Sequence, residues 1–249
     1  MKAKKILIQT SPYLFVALYA TKLGEAWRLA EGADASQKLL HITQGFSAAF
    51  QSPFPSFAQP RLVLCDTDCF RTLPEEVYAE GWAEIVKCAF LRPALLPLLE
   101  QPDPAQRLEE ILSACVALKR DLVTADEFDR GQRQLLNFGH TVGHAIERCS
   151  GWEIPHGHAV AAGMAILTRG CAARGLCPAE TAARLEALLR RFDLPTGCDF
   201  SAGELLSAAR ADKKCRGKSI TLVLPDASGR PERREMSFAE LGELIALGL

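Results

Sequence analysis

The sequence predicts a mainly α-helical protein with a small α/β part, and three observations point to it. Apolar residues recur at helical spacing through most of the chain beyond residue 74. Short apolar runs at 5–9 and 61–65 have the length of strands. Two further strand-like runs, 219–224 and 232–236, flank the turn-like Asp226-Ala227-Ser228-Gly229 as a hairpin would.

Taken in order, the chain opens with a strand at 5–9, a turn at Pro12 and an amphipathic helix over about 14–30. Its first twenty residues carry basic then apolar side chains, but Gln9, Thr10, Ser11 and Pro12 interrupt the apolar stretch, so neither a signal peptide nor a membrane span is expected. After a buried strand at 61–65 a helix opens near Pro74, where Glu75 and Glu76 suit the positive end of a helix dipole. It runs past Glu84 and Lys87 to about residue 91. Pro93, Pro97, Pro102 and Pro104 mark a loop before a helix over 105–125. Helices are expected over 158–174, 178–191 and 201–211, and a last one follows the hairpin.

At 249 residues and 48% hydrophobic, the chain can bury a full core as one large domain or two small ones. A net charge of -1 supplies no basic field for nucleic acid. Nine cysteines, an odd number without CxxC pairing, fit a reducing compartment, and the cytoplasm is the expected location.

The chemistry concentrates in LNFGHTVGHAIERCSGWEIPHGHA, residues 136–159, which holds four of the five histidines. His140 and His144 stand four apart in a run that reads as helix and so share a face, while His156 and His158 follow a Gly-Trp and Ile-Pro break that turns the chain back. Gathered imidazoles are a common ligand set for zinc. On spacing alone, a solvated pair or a hydrogen-bonded core pair serves as well. Arg133 and Asn137 extend the same helical face, however, and a face of Arg, Asn, His and His is costly to bury.

These residues resemble the 3-dehydroquinate synthases and their sugar-phosphate cyclase relatives. The stretch 118–164 follows that family's order of a Lys, an acidic segment, an Arg, LN-x-GH-x-x-GHA, then HG and AVAAGM. Upstream, DTDCFRTLPEEVYAEGWAEIVK at 66–87 is similar to the D-T-x-x-L-x-TLP and G-x-AE-x-x-K motifs, with Phe70 at the Leu position. Downstream, DKKCRGKSITLVLP at 212–225 resembles the DKK segment and its following strand. The resemblance covers roughly residues 59 to 249 in one order.

It implies Glu84, His140 and His156 as ligands of zinc, or of cobalt in its place, and Lys87, Lys119, Arg133, Asn137, His144 and Lys213 or Lys214 as the substrate-binding and proton-handling set. The physical logic agrees. An acidic phosphorylated sugar needs clustered Lys and Arg donors, and a histidine relays protons near neutral pH. Singly, Lys87 and Lys119 read as snorkelling helix residues and Arg133 as a partner of Asp129.

The family uses NAD, held by a glycine-rich loop in an N-terminal α/β half. Here residues 1–65 are expected to form a cut-down Rossmann-like remnant, with no G-x-G-x-x-G and with Gln51 where the family has a nucleotide-contacting Lys, ahead of a helical metal-binding catalytic domain over 66–249. Cys69, Phe70, Arg71 and Thr72 form the turn that would contact the cofactor. His158 replaces the Glu that follows HG in the family, and it reads as a helix-start residue ahead of the two other readings left open, an extra ligand and a repositioned acid-base group.

The implied activity is phosphate elimination and cyclisation of a seven-carbon acidic sugar phosphate, a carbon-oxygen lyase step of the shikimate pathway to aromatic amino acids. Three alternatives stay open: a metal-binding remnant without turnover, one half of a two-chain enzyme, and a cyclase acting on another sugar phosphate. The expected partner is the small acidic sugar phosphate, with neither nucleic acid nor membrane, and with a homodimer or a partner chain left open.

Overall fold

The computed structural model describes residues 67–211 and 219–249, which are mostly helical with one two-stranded sheet. A 3-10 turn, Thr67–Thr72, precedes α1 (Glu75–Leu91). Then come α2 (Leu96–Leu99), α3 (Leu108–Ala125), α4 (His140–Cys149), α5 (His156–Ala173), α6 (Ala179–Arg191) and α7 (Ala202–Arg210). The hairpin strands β1 (Ser219–Pro225) and β2 (Pro231–Ser237) lead into α8 (Phe238–Gly248). The strands expected at 5–9 and 61–65 and the helix expected at 14–30 lie outside the described residues. Backbone contacts divide the chain between Tyr78 and Ala79.

Three helix starts follow from end chemistry. Glu75 and Glu76 occupy the first turn of α1, directly after Pro74. Ser201 with Glu204 and Ser237 with Glu240 close capping boxes that satisfy the first amides of α7 and α8. In the hairpin, Ser219 pairs with Ser237 and Pro225 with Pro231. The Asp226 carboxylate accepts from the amides of Ser228 at 2.8 Å and Arg230 at 3.0 Å, which closes the turn.

Two expectations are corrected. The proline-rich stretch 93–104 is largely ordered into 3-10 turns at Pro93–Leu95 and Pro104–Arg107 and the short α2, because proline at the first position of a helical turn lacks only an amide that would be unpaired there. The helix read through 133–144 is broken. Gln132–Asn137 is a 3-10 segment, Phe138 is extended with ψ 123°, and Gly139 takes φ +81° before α4 starts at His140. A Cβ on Gly139 would collide with the Met164 side chain and lie 2.7 Å from Val160 O, so only glycine fits this turn against α5. Arg133 and Asn137 therefore do not continue the face of His140 and His144.

The core surrounds α5, which is buried over most of its length and packs on α4, α6, α8 and β1. Val142 and Ile146 from α4, Ile166 and Leu167 from α5, and Leu241, Leu244 and Ile245 from α8 form its apolar centre. At Gly163 the α4 and α5 backbones approach so closely that a Cβ would lie 2.7 Å from Gly143 N. That approach brings the starts of both helices together. Cys88, Cys115, Cys149, Cys171, Cys177 and Cys198 are free thiols. Among the described residues, no helix is long and apolar enough to cross a membrane.

Candidate metal centre

Three helices deliver the three side chains that the resemblance implies as ligands. Glu84 projects from α1, His140 is the first residue of α4, and His156 is the first residue of α5. Their ligand atoms all lie within 4.8 Å of one another. The imidazole centroids are 5.3 Å apart for His140 and His156, and 5.4 Å apart for His140 and His144.

The hydrogen bonds of the two rings define what they can offer. His140 Nδ1 lies 3.2 Å from Phe138 O, and His156 Nδ1 lies 3.0 Å from Glu147 Oε1. A carbonyl and a carboxylate only accept, so each Nδ1 carries the proton and the Nε2 lone pair remains in the neutral ring. One carboxylate with two such imidazoles is a zinc-type donor set, and an acceptor on the far nitrogen is the usual support of a ligating histidine. The residues present fit the metal.

Charge is compensated at the same carboxylate. Lys87 Nζ lies 2.5 Å from Glu84 Oε1, and Lys119 Nζ lies 3.1 Å from Oε2. Burial opposes the charge on Glu84, yet Lys87, Lys119 and His140 together hold its carboxyl well below the usual range. Burial lowers the Lys87 ammonium against the pull of Glu84. At Lys119 burial also works against the charge, but the Glu84 carboxylate, helped by the thiols nearby, outweighs it and holds the ammonium above its usual range. Burial, with Lys87 beside it, drives His140 well below 6.5, which keeps the ring in the neutral form a metal needs.

The other expected residues are placed less uniformly. His144 adjoins the cluster, and its ligand atom also groups with those of Glu147 and His156. The Arg133 guanidinium donates to Glu127 O at 2.7 Å, so the expected pairing with Asp129 is not the contact formed, and the Arg133 amide donates to Asp126 Oδ2 at 3.1 Å. Asn137 ends the 3-10 segment without a side-chain hydrogen bond among the described residues. Lys213 and Lys214 lie outside those residues. Cys69, Phe70, Arg71 and Thr72 sit in the Thr67–Thr72 turn, where the Phe70 ring meets Tyr78 edge-on at 6.4 Å. His158 is the third residue of α5, outside both potential ligand groups, and lines a separate cavity of about 470 Å³ with Ile146, Ile154, Cys198 and Asp199.

Two further carboxylates, Glu147 beside the histidines and Glu80 against the start of α5, belong to no motif of the sequence. Glu147 falls three residues after His144 and seven after His140, and this periodicity on the histidine face was the available signal. Glu80 precedes Glu84 by one helical turn, and its Oε2 accepts from Gly157 N at 3.0 Å.

Residues 81–215, more than half of the chain, match the family described as 3-dehydroquinate synthase C-terminal. The chain belongs to this family. Among 3-dehydroquinate synthases, that of Dehalococcoides mccartyi (strain CBDB1) is 44% identical over 177 residues, 68% of this chain and 49% of the relative. The 3-dehydroquinate synthase of Lactiplantibacillus plantarum is 38% identical over 192 residues, covering 75% of this chain and 54% of its own. The chain thus spans about half the length of these 3-dehydroquinate synthases.

Two solved cyclases share the fold. ValA, a 2-epi-5-epi-valiolone synthase from Streptomyces hygroscopicus subsp. jinggangensis 5008 with NAD+ and Zn2+ bound, superposes with a TM-score of 0.66 at 24% identity, covering 78% of this chain and 57% of ValA. A 2-deoxy-scyllo-inosose synthase complexed with carbaglucose-6-phosphate, NAD+ and Co2+ superposes with a TM-score of 0.62 at 22% identity, covering 79% and 58%.

Proposed function

We propose that this chain acts as a metal-dependent carbon-oxygen lyase of the 3-dehydroquinate synthase type in the cytoplasm, eliminating phosphate from a seven-carbon acidic sugar phosphate and closing its ring on the shikimate route to aromatic amino acids. The observation that carries this reading is the meeting of Glu84, His140 and His156 within 4.8 Å at a carboxylate that Lys87 and Lys119 also reach. The names of the curated relatives support the reaction, and the NAD+, Zn2+ and Co2+ of the solved cyclases support the cofactors.

Glu84, His140 and His156 would hold zinc or cobalt, and the turn carrying Cys69, Phe70, Arg71 and Thr72 would face NAD. Bound, the metal would polarise a substrate oxygen, and NAD would accept and return a hydride. Lys87, Lys119, Arg133, Asn137 and the Lys213-Lys214 pair bind the carboxylate and phosphate, with Arg supplying a planar fork and Lys a point charge. His144, beside the ligand histidines, carries a proton between substrate and solvent. In this reading residues 66–249 form the catalytic domain and residues 1–65 the cofactor side.

The test is phosphate release from the seven-carbon substrate with NAD and zinc supplied. Release should stop with a chelator and fall by at least about a hundredfold in His144→Ala, the scale of a general acid-base contribution. The match over about half the relatives' length supports a second reading, a metal-holding chain that needs a partner chain for turnover. Ligand-dependent melting stabilisation without phosphate release would select it.

A further inference from the structure

His156 is held by carboxylates from two other helices. Glu147 of α4, only 5% exposed, accepts a hydrogen bond from its Nδ1–H at 3.0 Å. The Glu147 backbone is anchored as well, since its carbonyl accepts from Trp152 N at 2.7 Å and Ser150 Oγ at 2.9 Å within the turn between α4 and α5. Glu80 of α1 acts on the backbone. Its carboxylate accepts from the amide of Gly157, the second residue of α5, whose own N-cap, Pro155, has no side-chain cap to offer. A Cβ on Gly157 would lie 2.6 Å from Glu80 Cα, so glycine is what lets α1 come this near. Glu80 stands one turn before Glu84 on the same helix, so one contact sets the start of α5 against the helix that carries the carboxylate ligand.

We infer that Glu147 and Glu80 are positioning residues for His156: Glu147 fixes the ring tautomer and strengthens the imidazole as a donor, and Glu80 fixes the height of the α5 start above Glu84. This rests on the metal reading proposed above. A buried acceptor on the far nitrogen orients a ligand histidine, and losing such support weakens metal binding by about 10- to 100-fold. The bland account is that Glu147 is a core carboxylate satisfied by whichever donor is nearest. A competing account makes it a ligand, because its carboxylate also groups with His144 and His156 within 4.8 Å.

The experiment titrates the full chain with zinc alone against a chromophoric chelator and with cobalt alone by its visible absorption. The variants are Glu147→Gln, Glu147→Leu, Glu80→Gln and Glu80→Ala. Glu147→Leu should raise the zinc Kd by about 10- to 100-fold and shift the cobalt bands, with Glu147→Gln, which keeps an acceptor oxygen but no charge, in between. Glu80→Ala should weaken zinc several-fold and Glu80→Gln much less, since the amide oxygen still accepts from Gly157. Stoichiometry should stay at one metal throughout. If Glu147→Leu does not fold, the Gln variant and its cobalt spectrum carry the test. Wild-type affinity and spectrum in all variants would overturn the positioning roles. A fall from two zinc ions to one in Glu147→Gln, with the remaining affinity unchanged, would overturn them in favour of a second ion on His144, Glu147 and His156. Failure of the wild-type chain to take up zinc would instead count against the metal reading itself.

Discussion

Around Glu84 the histidine side and the lysine side are built differently. His140 and His156 each give Nδ1 to an acceptor fixed by the fold, Phe138 O or Glu147, so their geometry is set by helix starts and one buried carboxylate. Among the described residues, Lys87 and Lys119 instead meet the Glu84 carboxylate itself, one oxygen each. The two lysines also differ from each other, with side chains 3% and 31% exposed. Hydrogen bonds thus aim the imidazoles, while ion pairs hold the charge balance of the carboxylate between them.

The lysine side gives the largest expected effect. Removing one partner of a buried pair leaves the other charge uncompensated and costs about 3 to 5 kcal/mol, and with Lys119 still present Lys87→Ala should lie near the low end. Lys119→Ala removes the more exposed of the two partners and leaves Lys87 on the same carboxylate, so it should cost less than Lys87→Ala. Urea unfolding of the metal-free proteins measures both. Equal losses would break the distinction between a buried and a more exposed partner.

A smaller effect sharpens the histidine side. Burial and Lys87 hold folded His140 below 6.5, so on acidification the unfolded chain takes up this proton before the folded chain does. Stability from this site is therefore full above about 6.5 and falls as pH drops below it. Glu84, whose folded carboxyl is also depressed, adds its own loss only below about 4.5. Melting of the metal-free protein across this range should show a shallower decline between about 4.5 and 6.5 in His140→Gln than in the wild-type chain. Parallel curves would place the proton uptake elsewhere.

Much of this arrangement was legible in the residues. The hairpin followed from strand-like runs around Asp226 to Gly229, and α7 and α8 from Ser-x-x-Glu starts. The Glu84, His140 and His156 set came from motif order, because histidines at helix starts carry no periodic signal that separates a ligand from a cap. The break at Phe138 and Gly139 was not legible, since Gly inside GH-x-x-GH resembles an ordinary helical glycine until the α5 backbone is seen to press on it. Glu80 was hidden for a related reason. Its partner is a backbone amide 77 positions away, and amides look alike in every sequence.

Zinc content decides the claim that Glu84, His140 and His156 form one metal site. Elemental analysis of the purified chain, loaded with zinc and then passed through a desalting column, should find close to one zinc per wild-type chain and almost none in His140→Ala, with Lys119→Ala retaining the metal. Full zinc in His140→Ala would contradict the claim.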